Sequence, residues 1–319
     1  MNIVFLVVQQ TMFFSIPLLI VALGGMFTER GGVTNIALDG MMIMGAFTSI
    51  FFINQMQGSM SGQTLLILAI LIAVGTGMVF SLLLAYSAIN MKSDQIIGGT
   101  ALNMFAPAFA IYVARTLQDN GVQQITFTNT FRIPSVPLLG DIPILGGLFF
   151  KNAYITTYIG FTILVLAVIV LYKTKFGLRL RACGEHPQAA DSVGINVYRM
   201  RYAGVVISGA LAGLGGLVFV IPTSTNFNAT VAGYGFLALA VMIFGQWKPL
   251  RILFAAFFFG LMKTIASAYS VIPVLATASI PSDIYKMVPF IATLIVLAFS
   301  SKTSQAPKAV GVPYDKGSR

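Results

Sequence analysis

Residues 155–172 read Ile-Thr-Thr-Tyr-Ile-Gly-Phe-Thr-Ile-Leu-Val-Leu-Ala-Val-Ile-Val-Leu-Tyr, a run without a charge, and Lys173 and Lys175 follow at once. A helix that crosses a hydrocarbon core of about 30 Å needs about 20 mostly apolar residues. This run meets that need, and residues 205–221 form a second one almost as clean. Of the 319 residues, 57% are hydrophobic and only 9% are charged. An ordinary soluble domain carries about 25% charged residues, so this chain has too few to solvate a globule of its size. Further candidate spans lie near 3–26, 33–55, 63–89, 95–115, 231–247, 250–270 and 284–300, with the two clean runs inside 152–172 and 200–221. The expectation is an all-α fold: a polytopic membrane helical bundle of about nine spans (eight to ten). Gly, Asn and charged residues interrupt 27–55 and 92–115, so broken or re-entrant helices are expected there. The first span has no basic n-region and no small-residue cleavage pattern, so it reads as a plain transmembrane helix.

The net charge of +10 arises from 19 Lys and Arg against 9 Asp and Glu. In a membrane protein such an excess reports sidedness rather than nucleic acid. Lys173, Lys175, Arg179, Arg181, Arg199 and Arg201 crowd one loop, 173–201. Lys248 and Arg251 form a second basic segment, and Lys302, Lys308, Lys316 and Arg319 lie in the tail. All three alternate correctly if they are cytoplasmic; Arg30 and Lys92 join them, and the N-terminus comes out external. The chain then divides into a permease domain, 1–300, and a cytoplasmic tail, 301–319, whose polar composition predicts disorder. Segment 116–151 is external, with Pro and Gly predicting turns and a surface-lying amphipathic stretch. A single cysteine, Cys183, excludes an intramolecular disulfide and a Cys-x-x-Cys site. A single histidine, His186, excludes a multi-histidine centre. No metal site is expected, and the groups for an intramembrane enzyme are missing.

Several polar positions invite functional readings. A helix starting near Val33 would carry Asp39 roughly 9 Å inward at 1.5 Å per residue. There it serves either as a pathway residue or as a structural hydrogen-bond partner for a neighbouring helix. Asn103, after Gly98 and Gly99, suits recognition of a polar solute and equally a helix–helix contact. The stretch 223–228, with Asn226, lines either the mouth of a cavity or a solvated loop. Asn35 joins this pathway set, and Phe236 offers a ring for stacking on a base. Lys263 is expected to snorkel toward an interface, and Gly209 and Gly213 form a small-xxx-small face for close packing.

Within 173–201, Pro187 fits the first position of a short helix and Gly194 fits its end. Such a helix docks into a groove on a soluble partner or lies on the membrane, drawn to anionic lipid. Here the residues resemble a family. Residues 29–42, Glu-Arg-Gly-Gly-Val-Thr-Asn-Ile-Ala-Leu-Asp-Gly-Met-Met, are similar to a signature of the ABC-importer permeases that serve branched-chain amino acids, simple sugars and nucleosides. Residues 181–195, Arg-Ala-Cys-Gly-Glu-His-Pro-Gln-Ala-Ala-Asp-Ser-Val-Gly-Ile, look like its coupling segment. Residues 235–249, from Gly-Phe-Leu-Ala to Gly-Gln-Trp-Lys-Pro, resemble the shorter permease subunit of nucleoside importers. Asp39, Ala37 and His186 depart from the family pattern, where Glu, Gly and Asn are usual.

The resemblance implies a short cytoplasmic coupling helix built on Glu185, His186, Pro187, Ala189, Ala190, Gly194 and Ile195. It implies a bacterial cytoplasmic membrane location with the C-terminus inside. It also implies a paralogous permease subunit, a cytoplasmic ATP-binding subunit and an extracytoplasmic solute-binding lipoprotein as partners, besides membrane lipid. The chain has no Gly-x-x-x-x-Gly-Lys-Ser/Thr loop. It is therefore expected to bind no cofactor itself, with ATP and Mg on the partner ATPase. The solute implied is a nucleoside, with simple sugars or branched-chain amino acids as the alternative. An ion-coupled secondary transporter would need intramembrane ionisable groups, for which only Asp39 and Lys263 qualify.

Overall fold

The computed structural model of the chain describes residues 3–60, 62–118, 121–128, 131–137, 140, 142–143, 146–268 and 306–317, with Ile284, Met287, Ile291 and Leu294. Most of the chain is helical. Helix α1 (Ile3–Arg30) is followed by α2 (Leu38–Met56) and α3 (Gly62–Ala85), which continues as a π-helical turn, Tyr86–Asn90. Next come α4 (Gln95–Leu117), α5 (Ile155–Lys173), α6 (Lys175–Glu185), α7 (Pro187–Ser192), α8 (Val197–Thr223), α9 (Tyr234–Phe244) and α10 (Pro249–Ala268). Helices α1, α3 with its π turn, α4, α5, α8 and α10 are long and apolar enough to cross a membrane. Helix α2 matches α5 at 19 residues but carries Asp39 in its first turn and lies enclosed by α3, α4, α8 and α9. Helix α9 has 11 residues, about 16 Å at 1.5 Å per residue, half of a crossing.

The structure bears on four of the expected segments. The span placed at 33–55 begins only at Leu38, because residues 31–37 are not helical. In the segment 116–151, expected to be external, the described residues include two short strands, β1 (Ile125–Thr126) and β2 (Ile133–Ser135), and a π-helical turn, Gly146–Phe150, with β3 (Lys151–Ala153) beginning at its end. Strand β2 pairs antiparallel with β3, while β1 pairs with β4 (Asn226–Phe227), placing Ile125 opposite Phe227. The span expected at 284–300 lies outside the described residues but for the four isolated positions named above. Finally, the tail expected to be disordered is packed over residues 306–317, with Tyr314 only 5% exposed.

The centre is built from α1, α2, α3 and α8, and glycine decides how closely they meet. A Cβ on Gly77 of α3 would stand 2.0 Å from the Gly209 carbonyl oxygen of α8. One on Gly213 would stand 2.3 Å from the Ala73 oxygen, and one on Gly216 2.0 Å from the Met42 oxygen of α2. The small face seen on α8 thus receives the backbones of both α3 and α2. In lipid, where apolar burial drives helix association weakly, such close van der Waals packing carries it. Hydroxyl pairs add to it, Thr48 donating to Thr76 at 2.9 Å and Thr11 to Thr264 at 3.2 Å.

The bundle has two unlike ends. At one, the strands gather: Asn54 Nδ2 donates to the Thr126 oxygen at 2.8 Å, and Gln9 Nε2 to the Gly147 oxygen at 2.9 Å. At the other, Arg30, Lys92, the segment 173–201, the turn 245–248 and residues 306–317 come together. Gly77→Val is expected to force α3 from α8, costing about 1–3 kcal/mol as overpacking does. Thermal unfolding of the purified complex in detergent measures it, and an unchanged midpoint would contradict the seam.

Candidate functional site

Seven residues of non-helical backbone, 31–37, separate α1 from α2 and are largely buried. Helix α1 closes on Gly31 and Gly32, whose N–H groups donate to Thr28 and Glu29 oxygens at 3.0 and 2.9 Å. Gly32 has φ +89°, and a Cβ there would meet Arg201 Nη2 at 3.0 Å, so both conformation and space call for glycine. Helix α4 then supplies side chains to the open segment. Its start is capped by Asp94, which accepts from Ile96 and Ile97 N–H at 2.8 and 3.1 Å. Gln95 Oε1 accepts the Thr34 N–H at 2.6 Å. Asn103 Nδ2 donates to the Ile36 oxygen at 2.8 Å, while its Oδ1 accepts the Gly40 N–H at 2.7 Å. From α8, Ser208 Oγ accepts from Asn35 Nδ2 at 2.9 Å.

Asp39 Oδ1 accepts the Gly235 N–H at 2.8 Å. The residue before α9, Gly233, has no side chain to cap it and sits at φ +72°, so a carboxylate from α2 caps α9 in trans. Asn35, Asp39, Asn103 and the start of α9 therefore form one cluster. Of the two readings open for Asp39 and Asn103, the structural one accounts for the bonds they make. Asn35 keeps one buried oxygen, Oδ1, that meets no donor among the described residues. Phe236 lies in the first turn of α9, 50% exposed. Asn226 is apart from the cluster, in β4, where Ser224 Oγ donates to its backbone oxygen at 2.6 Å. Lys263 does not simply snorkel: its Nζ lies 6.0 Å from the Tyr234 ring centre, a cation–π contact. Tyr234 packs on Phe219 with 4.1 Å between ring centres, and its buried hydroxyl finds no partner among the described residues.

The basic end explains the rest of the 29–42 signature. Glu29 Oε2 accepts the Trp247 indole N–H at 2.6 Å, both groups buried. Arg30 Nη2 donates to the Trp247 oxygen at 3.1 Å, and its Nη1 lies 3.8 Å from Glu185 Oε1. Gln246 and Trp247 have φ +49° and +54°, a left-handed conformation costing about 1–2 kcal/mol per non-glycine residue. The Glu29–Arg30 pair holds this turn, which carries α9 into α10. Trp247, the chain's one tryptophan, was not singled out by sequence reasoning, although its uniqueness was visible.

Helix α6, an amphipathic helix within the basic segment 173–201, is capped by Thr174, whose Oγ1 accepts the Gly177 N–H at 3.1 Å. It ends against α1: a Cβ on Gly184 would lie 2.3 Å from the Arg30 oxygen. Helix α7 follows with Pro187 at its first position and no side-chain cap from His186. Its end is closed by Gly194, at φ +82°, donating to the Asp191 oxygen at 2.9 Å, and by Ile195 donating to Ala190 at 3.0 Å. Pro187 and Ala190 face inward, whereas His186, Gln188, Ala189, Ser192 and Gly194 are exposed. Val193, 74% exposed, is the large apolar side chain on this outer surface, and it was missing from the expected set. Glu185 is taken up by Arg30. Burial pushes the Cys183 thiol up to about 11.

A bundle of long apolar helices broken at its centre, with a short helix hung below its basic end, is the build of a polytopic permease. The chain belongs to the family described as "Branched-chain amino acid transport system / permease component", which matches residues 7–297. It is 41% identical over 315 residues to the guanosine ABC transporter permease protein NupQ of Bacillus subtilis, covering 98% of each chain. It is 41% identical over 312 residues to the nucleoside ABC transporter permease protein NupC of Lactococcus lactis, covering 98% of this chain and 97% of that one. A second permease of that organism, NupB, is 27% identical over 95% of this chain and 84% of its own. No solved structure matches the chain. It is a transport component of the ABC permease type.

If Asp39 works as the cap of α9, Asp39→Asn keeps an acceptor and is expected to retain transport. Asp39→Ala loses about 0.5–2 kcal/mol, as cap removal does. Uptake and thermal stability of the two variants check this; equal loss in both would point to a need for the charge itself.

Proposed function

We propose that this chain is a substrate-translocating permease subunit of an ATP-binding-cassette importer that carries nucleosides across the bacterial cytoplasmic membrane. The observation that carries the reading is its 41% identity, over 98% of its length, to permeases named for guanosine and for nucleosides. The basic end faces the cytoplasm by the positive-inside rule, which leaves the strand-rich end and the N-terminus outside. The nine spans expected from the sequence fit this sidedness, the last of them, 284–300, falling outside the described residues but for four positions. A paralogous permease completes the translocating pair, and that NupB and NupC of one organism both align with this chain supports such a pairing. An extracytoplasmic lipoprotein delivers the solute.

ATP hydrolysis falls to a cytoplasmic partner, since the chain lacks a phosphate-binding loop. Helix α7 is the coupling helix, presenting Gln188, Ala189 and Val193 to that partner. Its movement reaches the bundle through Glu185 and Arg30, and from there the 31–37 break and the turn at Trp247. Asn35, with its unfilled buried oxygen, and Phe236, half exposed on α9, are the members of the expected pathway set with capacity left for a solute.

Two experiments test this. Ala189→Glu with Val193→Asp is expected to remove the ATPase subunit from the purified complex while the permease still inserts; full retention would refute α7 as the docking element. Uptake of labelled guanosine into vesicles should be competed by other nucleosides and not by glucose or leucine. Collapse of uptake with a protonophore, ATP being present, would instead favour ion coupling through Asp39 or Lys263.

A further inference from the structure

The C-terminal segment 306–317 lies between α7 and the turn before α4, touching both. On the α7 side, the Ala309 N–H donates to the Gly184 oxygen at 2.8 Å. Tyr314, 5% exposed, fills a small apolar cluster with Cys183, Ala190 and Val197. Its ring meets Tyr198 edge-on at 5.5 Å, and Lys316 Nζ stands 3.8 Å from Asp191 Oδ1. On the α4 side, Lys92 Nζ meets Asp315 Oδ2 at 2.7 Å, and this bond holds the Asp315 carboxyl below the usual carboxylate range. A Cβ on Gly311 would lie 3.3 Å from Thr34 Oγ1, inside the break itself.

Beneath the segment is Arg201, 1% exposed. Its Nη1 donates to the Val312 oxygen at 3.0 Å, its guanidinium lies 6.0 Å from the Tyr314 ring centre, and its Nε and Nη2 find no hydrogen-bond partner among the described residues. A buried cation with so few bonds leans on those it has, because each unmet group in an apolar site is costly. Two cavities of about 250 and 290 Å³ flank the segment, one between Glu185–Gln188 and Lys308–Pro313, the other between Thr34, residues 92–96 and Gly311. The segment is thus a bridge with space on either side, not an embedded plug.

Resting on the coupling role given to α7 above, we propose that residues 309–316 are a transmission strap. The strap ties the coupling helix to the start of α4 and to the 31–37 break, so that displacement of α7 by the ATPase is delivered to the broken-helix centre. Tyr314 is its main anchor and a positioning residue. The route alternates contacts with the chain itself: Ala190 and Asp191 of α7 meet Tyr314 and Lys316, the neighbouring Asp315 meets Lys92, and the backbone 92–95 leads from there to Gln95, which accepts the Thr34 N–H.

The chain's single cysteine reports on the strap, since Tyr314 covers Cys183 and a thiol reacts only when opened to solvent as thiolate. In the assembled importer, wild-type Cys183 is expected to resist a maleimide. Tyr314→Ala should raise its labelling about tenfold or more, as local opening becomes easier. In the same variant, solute-stimulated ATP hydrolysis and uptake should fall about fivefold or more, the loss of a coupling free energy of ordinary size, while the ATPase subunit still co-purifies. Tyr314→Phe, which keeps the ring, should restore both. A second pair avoids any folding defect at the buried anchor: Lys92→Asp should lower stimulated hydrolysis, and Lys92→Asp with Asp315→Lys should recover it. Labelling that rises in Tyr314→Ala with wild-type hydrolysis and uptake would overturn the strap, leaving the tail a cover. Ready labelling of wild-type Cys183 would overturn the docking itself. An ATPase that fails to co-purify with the wild-type chain would instead remove the coupling reading, and the strap with it.

Discussion

Backbone N–H and C=O groups withdrawn from water must find partners, and a helix meets that demand within itself. Residues 31–37 are the place where this chain gives up the helix inside its own bundle, and the arrangement around them follows from repairing the loss. Gln95 and Asn103 come from α4, and Gly31 and Gly32 fold back on α1. Once Asn103 is committed to Ile36 and Gly40, α4 is tied to α2; once Asp39 caps α9, the half-length helix is tied to the same spot. The break is therefore a junction joining α2, α4, α8 and α9.

The same logic holds at the basic end, where Glu29 and Arg30 end α1 and hold a turn of two left-handed residues between α9 and α10. Because Arg30 also faces Glu185, the turn, the end of α1 and the segment leading into α7 share one cation. Exposed ion pairs contribute about 0–1 kcal/mol each; the Glu29–Trp247 bond is buried and loses its partner to no solvent. This gives the end of the bundle a buried inner bond and a more exposed ion pair outside it.

Much of the architecture was legible because lipid imposes length and apolarity on every spanning helix. Spans expected at 63–89, 95–115, 152–172, 200–221 and 250–270 fall on α3, α4, α5, α8 and α10 within a few residues. Pro187 and Gly194 bracket α7 because the missing N–H of one and the free φ of the other act locally. Less was legible where a residue's role depends on something distant. Asp39 was open to a pathway reading and a structural one, because its partner, Gly235, lies 196 residues on. Val193, just past the end of α7, is 74% exposed, and residue order alone does not show that an apolar side chain there faces outward. The tail looked disordered because its composition is polar, yet Tyr314 finds an apolar cluster assembled from α6, α7 and α8.

Composition and periodicity alone established a membrane bundle with one strongly basic side and a proline-started helix in its longest basic loop. Those properties belong to the chain locally, since hydropathy, helix length and backbone conformation are set over a turn or two. Which polar groups serve the backbone and which stay open was settled by packing across the bundle. A hydrogen bond requires two atoms within about 3 Å, and nothing in residue order specifies which remote atom will come that near.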